Sequence, residues 1–263
     1  MKNFLRYGGK FFNGCVYNRG GNERSIEEVF TMDKYLIAIG GGEIKNKTTL
    51  KIDEYIAELA KRHAGEKRAN GLFIGTASHD SMPYFNSFRK TYTSVFDIKA
   101  EVALIVYGEM NAEHIQSKID AADFIYVGGG DTVFMLEKWK ETGLDKMILA
   151  AYEEGKIICG LSAGAICWFT DMYTDYEIMR GESSSYVMKK GLGLLRGAIT
   201  PHFNDREADF IPALRSAGIT EAYGVENDAA IVFKNGEFLR SLSSGGKAYR
   251  VTVTESDAEK TEL

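Results

Sequence analysis

The sequence predicts an α/β fold with three αβα layers, in which a mostly parallel β-sheet is covered by helices on both faces. From residue 35 onwards, short apolar runs alternate with amphipathic segments, as in strands joined by crossover helices. Several of these runs end in glycine or small polar residues, as expected where parallel strands reach a binding crevice. The 263-residue chain is 44% hydrophobic, which is enough for a large core.

The predicted elements follow one another without an internal repeat. Apolar runs predict strands at residues 35–39, 70–76, 98–106, 122–127 and 157–161. Helical periodicity predicts helices at residues 47–63, 82–95, 111–119 and 131–152, the last broken near Gly143. Shorter β-like runs follow at residues 197–200, 229–234, 237–242 and 248–253. Asn235-Gly236 predicts a type I′ hairpin turn between two of these runs.

The N-terminal segment differs in composition from the rest of the chain. Glu27-Glu28 and Val29 can be back-translated to a purine-rich sequence that is similar to a bacterial ribosome-binding site, at a suitable distance before Met32. Residues 1–31 are therefore interpreted either as a translated leader or as a loose N-terminal extension of the native chain. Residues 32–263 are predicted to form a single α/β domain.

Composition indicates which classes of ligand and which cellular compartment are to be expected. A net charge of −5 gives no electrostatic reason to expect a nucleic acid or an anionic membrane as partner, so small molecules or peptides are favoured. The three cysteines Cys15, Cys159 and Cys167 lack metal-type spacing, and no metal or organic cofactor is expected. No apolar run reaches the length of about 18 residues that spans a membrane, and no signal peptide is recognised, so we expect a cytoplasmic protein. Assembly into a homo-oligomer is compatible with the sequence, which does not specify an oligomeric state.

The segment Gly160–Ala165 (GLSAGA) follows a predicted strand and opens a predicted helix. A serine at such a strand-to-helix elbow is exposed on a sharp turn, and the small residues two places before and after it let strand and helix pass closely. The N-terminus of the following helix offers free N–H groups to an oxyanion. Ser162 is therefore predicted to be the nucleophile of a serine hydrolase.

A serine nucleophile needs a general base, and the chain contains four histidines. Two lie within predicted helices, which leaves His202, just after an apolar run, and His79 as the alternative; His202 is favoured. An acid must then orient the base. The downstream carboxylates that could do so are Asp175, Glu177, Asp205, Glu226 and Asp228, and spacing does not choose among them.

The oxyanion hole requires backbone N–H groups that no side chain obstructs. The glycines Gly128-Gly129-Gly130 follow a predicted strand and can supply one N–H, and Ala163 can supply the other. A phosphate-binding loop is the competing interpretation, but neither a complete GxGxxG nor a GxxxxGK[ST] pattern occurs.

Three motifs in this order, Val127–Thr132 (VGGGDT), Gly160–Ala165 (GLSAGA) and Pro201–Phe203 (PHF), resemble the peptidase E and cyanophycinase family of serine peptidases. The similarity extends from about Lys34 to the C-terminus. It implies a flavodoxin-like fold of the class-I glutamine amidotransferase type, with serine where the amidotransferases carry cysteine. It also implies cleavage of short peptides at aspartyl residues, in the manner of a dipeptidase.

Carried over by position, the resemblance implies Ser162 as nucleophile, His202 as base and the backbone of Gly129 and Ala163, with Gly130 adjacent, as the oxyanion hole. The family commonly has Glu one place after Glu226, where this chain has Asn227, so the third member departs from the pattern. We expect Glu226 to be the acid, with Asp175 or Glu177 as the fallback.

The sequence thus predicts a cytoplasmic serine peptidase with a small peptide substrate. Recognition of an acidic side chain would require a cation near the elbow, for which Arg180, Lys189 and Arg206 are the candidates. The alternatives are a non-catalytic module of the same fold that binds peptides or anions, and an amidase that acts on a non-peptide substrate.

Overall fold

The computed structural model describes residues 32–108 and 111–263. Their strands are β1 (Tyr35–Ile39), β2 (Asn70–Ile74), β3 (Lys99–Ala103), β4 (Phe124–Val127), β5 (Ile157–Leu161), β6 (Phe169–Thr174), β7 (Val187–Lys190), β8 (Leu195–Thr200), β9 (Glu221–Val225), β10 (Ala229–Lys234), β11 (Glu237–Ser243), β12 (Ala248–Val253) and β13 (Ala258–Glu262). Their α-helices are α1 (Leu50–Ala64), α2 (Met82–Ser94), α3 (Ala112–Ala121), α4 (Thr132–Thr142), α5 (Leu144–Glu153), α6 (Ala163–Ile166), α7 (Tyr176–Met179) and α8 (Phe203–Ala217).

A seven-stranded sheet with the order β11-β10-β1-β5-β4-β2-β3 forms the middle layer. The five strands from β1 to β3 in this order pair in parallel, and the β10-β11 hairpin adds the antiparallel edge. Alternate side chains of each strand enter different cores: Leu36 packs with α3, α4 and α5, whereas Ile37 packs with α1 and α2. This arrangement confirms the predicted three-layer α/β fold with a mostly parallel sheet.

Six strands form a second sheet with the order β13-β12-β9-β8-β6-β7, which the sequence did not predict as a separate sheet. The β-like runs predicted at residues 197–200 and 248–253 are confirmed as its strands β8 and β12. One of its faces, which includes Phe169 and Ile199, joins the core on the α3-α5 side of the main sheet. The other face, which includes Ala198 and Val251, packs on Phe210 of α8. The sheet therefore lies between the main sheet and α8, and β8 leads directly to the start of α8.

Several predicted boundaries are confirmed and others are shorter than expected. Gly143 takes a left-handed φ of 74° and separates α4 from α5, as predicted. Asn235 and Gly236 both have positive φ, as a type I′ turn requires. The strand expected over residues 98–106 ends at Ala103, because the N–H groups of Ile105 and Val106 donate to Asp80 Oδ2 instead of to a neighbouring strand.

The described part of the chain bears on two further expectations. Residues 34–263 form one compact unit, whereas the leader or extension expected at residues 1–31 lies outside the described residues. Within residues 32–108 and 111–263, no helix combines the length and apolar character needed to cross a membrane.

A buried carboxyl group joins α1 to α2 beneath the main sheet. Asp53 is inaccessible to solvent, and its two carboxyl oxygens accept hydrogen bonds from Thr49 Oγ1 (2.8 Å) and from the Tyr92 hydroxyl (2.9 Å). Burial raises the pKa of Asp53 from 3.8 to about 6, although both hydrogen bonds act in the opposite direction.

The raised pKa of Asp53 predicts a loss of stability between about pH 4 and pH 6. Over that range the unfolded chain releases the proton first, so folding becomes less favourable as the pH rises. Asp53→Asn keeps the shape of the side chain but does not ionise, so its stability should not fall in this way. The difference in free energy of unfolding, variant minus wild type, is therefore expected to increase by at most about 3 kcal/mol as the pH rises from 4 to 6. Urea denaturation of both proteins at several pH values measures this difference, and parallel pH profiles would contradict the prediction.

Candidate active site

Ser162 lies at the turn between β5 and α6. Its backbone has φ 54° and ψ −110°, a strained conformation for a residue with a side chain, and its N–H donates to the Ile39 carbonyl at 2.9 Å. Strand and helix approach closely here, because a Cβ at Gly160 would collide with the carbonyl oxygen of Gly164. The structure thus contains the strand-to-helix elbow that the GLSAGA segment predicts.

His202 lies where β8 ends and α8 begins. Its Nε2 is 2.9 Å from Ser162 Oγ, a distance that permits direct proton transfer. Its backbone N–H donates to the Gly40 carbonyl at 3.0 Å, which connects the start of α8 to the end of β1. The alternative base, His79, instead packs against the ring of Phe134, with centroids 4.1 Å apart.

Asn227 contacts the other nitrogen of the imidazole ring, with Oδ1 2.6 Å from His202 Nδ1. An amide oxygen only accepts, so Nδ1 carries the proton and Nε2 is left to accept from the Ser162 hydroxyl. The Asn227 backbone donates to Asn204 Oδ1 at 3.1 Å, and its side-chain NH₂ lies 3.5 Å from Asp205 Oδ2. These contacts orient the amide so that its oxygen faces the ring.

Glu226, the acid expected from the sequence, is not placed to orient His202. Its Oε2 accepts a hydrogen bond from the Lys247 backbone at 2.9 Å. Glu226 is the first residue after β9 and Asn227 lies in the turn that follows, and it is the Asn227 side chain that reaches the histidine. The sequence contains the relevant signal, since Asn227 occupies the position where the resembling family has Glu, but an amide was not expected in the place of a carboxylate.

The two fallback acids are also engaged elsewhere. Asp175 Oδ2 accepts from Arg206 Nη2 at 2.7 Å, and Glu177 Oε1 accepts from the Tyr176 hydroxyl at 2.6 Å. Ser162, His202 and Asn227 therefore form the hydrogen-bonded chain of this site, which contains an amide where a carboxylate was expected.

Burial and a neighbouring cation affect the protonation of His202. Desolvation lowers the pKa of His202, and the guanidinium of Arg206 lowers it further. The hydrogen bond to Asn227 acts in the opposite direction, since it stabilises the protonated ring. The net lowering favours the neutral imidazole, which is the form that can accept a proton.

The glycine loop after β4 lies beside the nucleophile. A Cβ at Gly129 would be 3.3 Å from the Cβ of Ser162, and the Gly129 N–H donates to the Tyr84 hydroxyl at 3.3 Å. Gly130 has φ 139°, and a Cβ there would collide with the Ala77 carbonyl. Ala163 is the first residue of α6, where backbone N–H groups have no acceptor within the helix.

A cleft of about 470 Å³ opens over Ser162 and His202. Its walls are the loop after β1, the start of α2, the glycine loop and the elbow, with the lining residues Gly42, Glu43, Ile44, Lys45, Pro83, Tyr84, Ser87, Gly129, Gly130 and Leu161. Lys45 is therefore a cation in its wall, and it was not among the cations expected from the sequence.

The three cations suggested by the sequence do not line this cleft. Arg180 Nε forms an ion pair with Asp131 at 2.7 Å, and Arg206 pairs with Asp175. Lys189 Nζ lies 5.1 Å from the centre of the Tyr176 ring. The expectation that one of them recognises an acidic substrate is not supported by their positions.

Comparison with known proteins points to one family. A family model described as Peptidase family S51 matches residues 36–240. The chain is 32% identical over 230 residues to the uncharacterized peptidase YgaJ of Bacillus subtilis (strain 168), covering 85% of this chain and 94% of the relative. A crystal structure titled as a putative peptidase E protein from Listeria monocytogenes EGD-e matches with a TM-score of 0.58 and 24% identity, covering 80% of this chain and 98% of that one. A peptidase from an acI-B1 Actinobacterium has a TM-score of 0.60 at 18% identity, covering 88% and 98% of the two chains. The two structures support the fold alone.

The contact between Asn227 and His202 predicts the effect of restoring a carboxylate. In Asn227→Asp, a negative charge next to Nδ1 is expected to raise the pKa of His202 by about 1–3 units from its lowered value. An NMR titration of the imidazole resonances measures the pKa, with His202→Gln used to assign the signal. Asn204→Asp adds a charge that does not contact the ring, so it should have a smaller effect. Equal shifts in the two variants would contradict the prediction.

Proposed function

The chain belongs to peptidase family S51 and is a serine-type peptidase, and we propose that it hydrolyses short peptides with Ser162, His202 and Asn227. The observation that carries this proposal is the continuous hydrogen-bonded chain from Ser162 Oγ to His202 Nε2 and from His202 Nδ1 to Asn227 Oδ1. Nucleophile, base and orienting group stand in the order that serine catalysis requires.

In the proposed reaction, Ser162 Oγ attacks the scissile carbonyl carbon while His202 Nε2 accepts the hydroxyl proton. The carbonyl oxygen becomes an oxyanion beside Gly129 and the Ala163 N–H. His202 then donates the proton to the departing amine, which leaves an acyl group on Ser162. A water molecule repeats these steps: His202 accepts its proton and returns the proton to Ser162 as the acid product forms.

Asn227 would perform one of the two functions that a carboxylate has at this position. Its oxygen holds the Nδ1–H tautomer and fixes the ring, which is the orienting role. It carries no net charge, so it stabilises the transient imidazolium less than Asp or Glu would. The combination is chemically sufficient, because Cys-His-Asn sites use the same orienting group.

Replacing Ser162 tests the proposed nucleophile. Ser162→Ala is expected to lower kcat for dipeptides by about 10³-fold or more, since no other group can form the acyl intermediate. It should also abolish labelling by a fluorophosphonate probe. Ser241→Ala is the matched control, since it removes a β11 hydroxyl that donates to the Leu263 carbonyl. It should retain both dipeptide turnover and labelling by the probe.

The results also separate the alternative functions. Labelling of Ser162 without turnover of any peptide would favour an amidase with a non-peptide substrate. Turnover that survives in Ser162→Ala would refute the proposal. If the wild-type protein binds peptides but neither cleaves them nor reacts with the probe, the result would favour the non-catalytic binding module.

We further propose that the substrates carry an aspartyl residue, which the resemblance to peptidase E implies. Lys45 is the cation that supports this preference, because its exposed side chain lines the same cleft as Ser162. An ammonium group at the cleft wall can form a charge-assisted hydrogen bond with a carboxylate of the substrate.

A substitution at Lys45 tests this preference. In Lys45→Met, the KM for aspartyl dipeptides is expected to rise roughly tenfold, because a charge-assisted hydrogen bond is lost. The KM for alanyl dipeptides should not change. Lys51→Met removes another exposed lysine, from α1, and serves as control. An equal rise in KM for both substrate classes would show that Lys45 does not bind the acidic side chain of the substrate.

A cytoplasmic location remains part of the proposal. Cys159 and Cys167 are buried free thiols, which fit a reducing compartment. Cell fractionation with an antibody against the native protein would test this location.

A further inference from the structure

The hydroxyl group of Tyr84 occupies the acceptor position of an N–H that the proposed oxyanion hole uses. The Gly129 N–H donates to Tyr84 Oη at 3.3 Å, and Gly129 itself lies against Ser162. Tyr84 and Ser162 line the same cleft. A substrate carbonyl that reaches Ser162 therefore comes close to the tyrosine hydroxyl as well as to the glycine loop.

The packing around Tyr84 holds its ring in place. Its backbone N–H donates to Ser81 Oγ, which caps the start of α2, at 3.4 Å. The ring meets Phe73 edge-on with centroids 5.0 Å apart, and Gly128 packs so closely that a Cβ there would lie 2.8 Å from Tyr84 Cε1. With the ring held in this way, the hydroxyl hydrogen can still change direction by rotation about the Cζ–Oη bond.

The hydroxyl proton of Tyr84 is available for donation. An O–H group both accepts and donates, so acceptance from Gly129 leaves the proton unused. Among the hydrogen bonds of residues 32–108 and 111–263, the Tyr84 hydroxyl takes part as the acceptor from Gly129 and donates none. Burial raises the pKa of Tyr84 to about 12, so the group keeps its proton at neutral pH.

We propose that Tyr84 donates a hydrogen bond to the oxyanion of the reaction, with its oxygen polarised by the Gly129 N–H. The inference rests on the proposed function and deepens it, since the Gly129 N–H then acts through the tyrosine instead of contacting the oxyanion directly. No bond is made or broken at Tyr84: the O–H hydrogen bond shortens as charge develops on the carbonyl oxygen and lengthens as the carbonyl re-forms. Linked hydrogen bonds polarise one another, so the donor strengthens when the charge appears.

Tyr84→Phe tests this proposal, since it removes one oxygen atom and keeps the ring packing. Removal of one oxyanion donor lowers kcat by about 10²–10³-fold in other enzymes, and at least a tenfold loss is expected here. The KM should stay within about twofold, because the hydrogen bond strengthens only in the transition state. A peptide aldehyde forms a hemiacetal with Ser162 that places an oxygen where the oxyanion forms, so it should bind to Tyr84→Phe more weakly, in parallel with the fall in kcat/KM.

The control is Tyr107→Phe, which alters a tyrosine that is 77% exposed, and it should change none of these values. An unchanged kcat in Tyr84→Phe, an effect confined to KM, or a loss of activity that follows a lowered Tm would each overturn the proposal. A second readout does not depend on peptides: the rate at which a fluorophosphonate labels Ser162 should fall in Tyr84→Phe. Normal labelling and turnover in this variant, with Ser162→Ala inactive, would refute the role of Tyr84 and leave the proposed function intact.

Discussion

The candidate site depends on three consecutive backbone carbonyl groups, one at the end of β1 and two just after it. The carbonyls of Ile39, Gly40 and Gly41 accept hydrogen bonds from the backbone N–H groups of Ser162 (2.9 Å), His202 (3.0 Å) and Asp228 (3.1 Å). Segments that are distant in the sequence are thereby brought to successive positions at the end of β1. Gly41 also lacks a Cβ, which would collide with Asn227 Oδ1. The end of β1 thus sets the relative positions of nucleophile, base and orienting amide.

The main sheet and the elbow could be predicted because their signals are local. Apolar runs such as Ile157–Leu161 are typical of strands buried on both faces, and glycine at residues 160 and 164 is required by a close backbone approach. The second sheet could not be predicted in this way. Its strand β6 mixes threonine and aspartate with apolar residues, and α8 contains Pro212, which normally ends a helix. Tertiary packing stabilises both elements: Phe169 of β6 joins the core on the α3-α5 side, and Phe210 of α8 packs on the opposite face of the second sheet.

The third member of the site was missed for a different reason. Elimination among four histidines left His202 and His79, and the position of His202 just after an apolar run favoured it. Five carboxylates were candidates downstream of the elbow, and the ring is hydrogen-bonded to Asn227 instead of to one of them. The imidazole is surrounded by neutral hydrogen-bonding groups, while nearby charges such as Arg206 and Asp175 pair with each other. Which of two adjacent residues faces a histidine depends on side-chain direction, and composition and spacing do not encode it when both residues are polar.

The attachment to β1 also bears on how such proteins can diverge. Two connections join the functional positions, residues 163–201 and 203–226. Each starts and ends close in sequence to a residue whose backbone N–H is hydrogen-bonded to a carbonyl at the end of β1 or just after it. Loops within these connections can gain or lose residues without moving the reacting atoms, provided that the chain returns to the same carbonyl. Length changes in relatives should therefore accumulate between these tethers, where new loops can reshape the cleft and alter substrate choice while the chemistry is inherited unchanged.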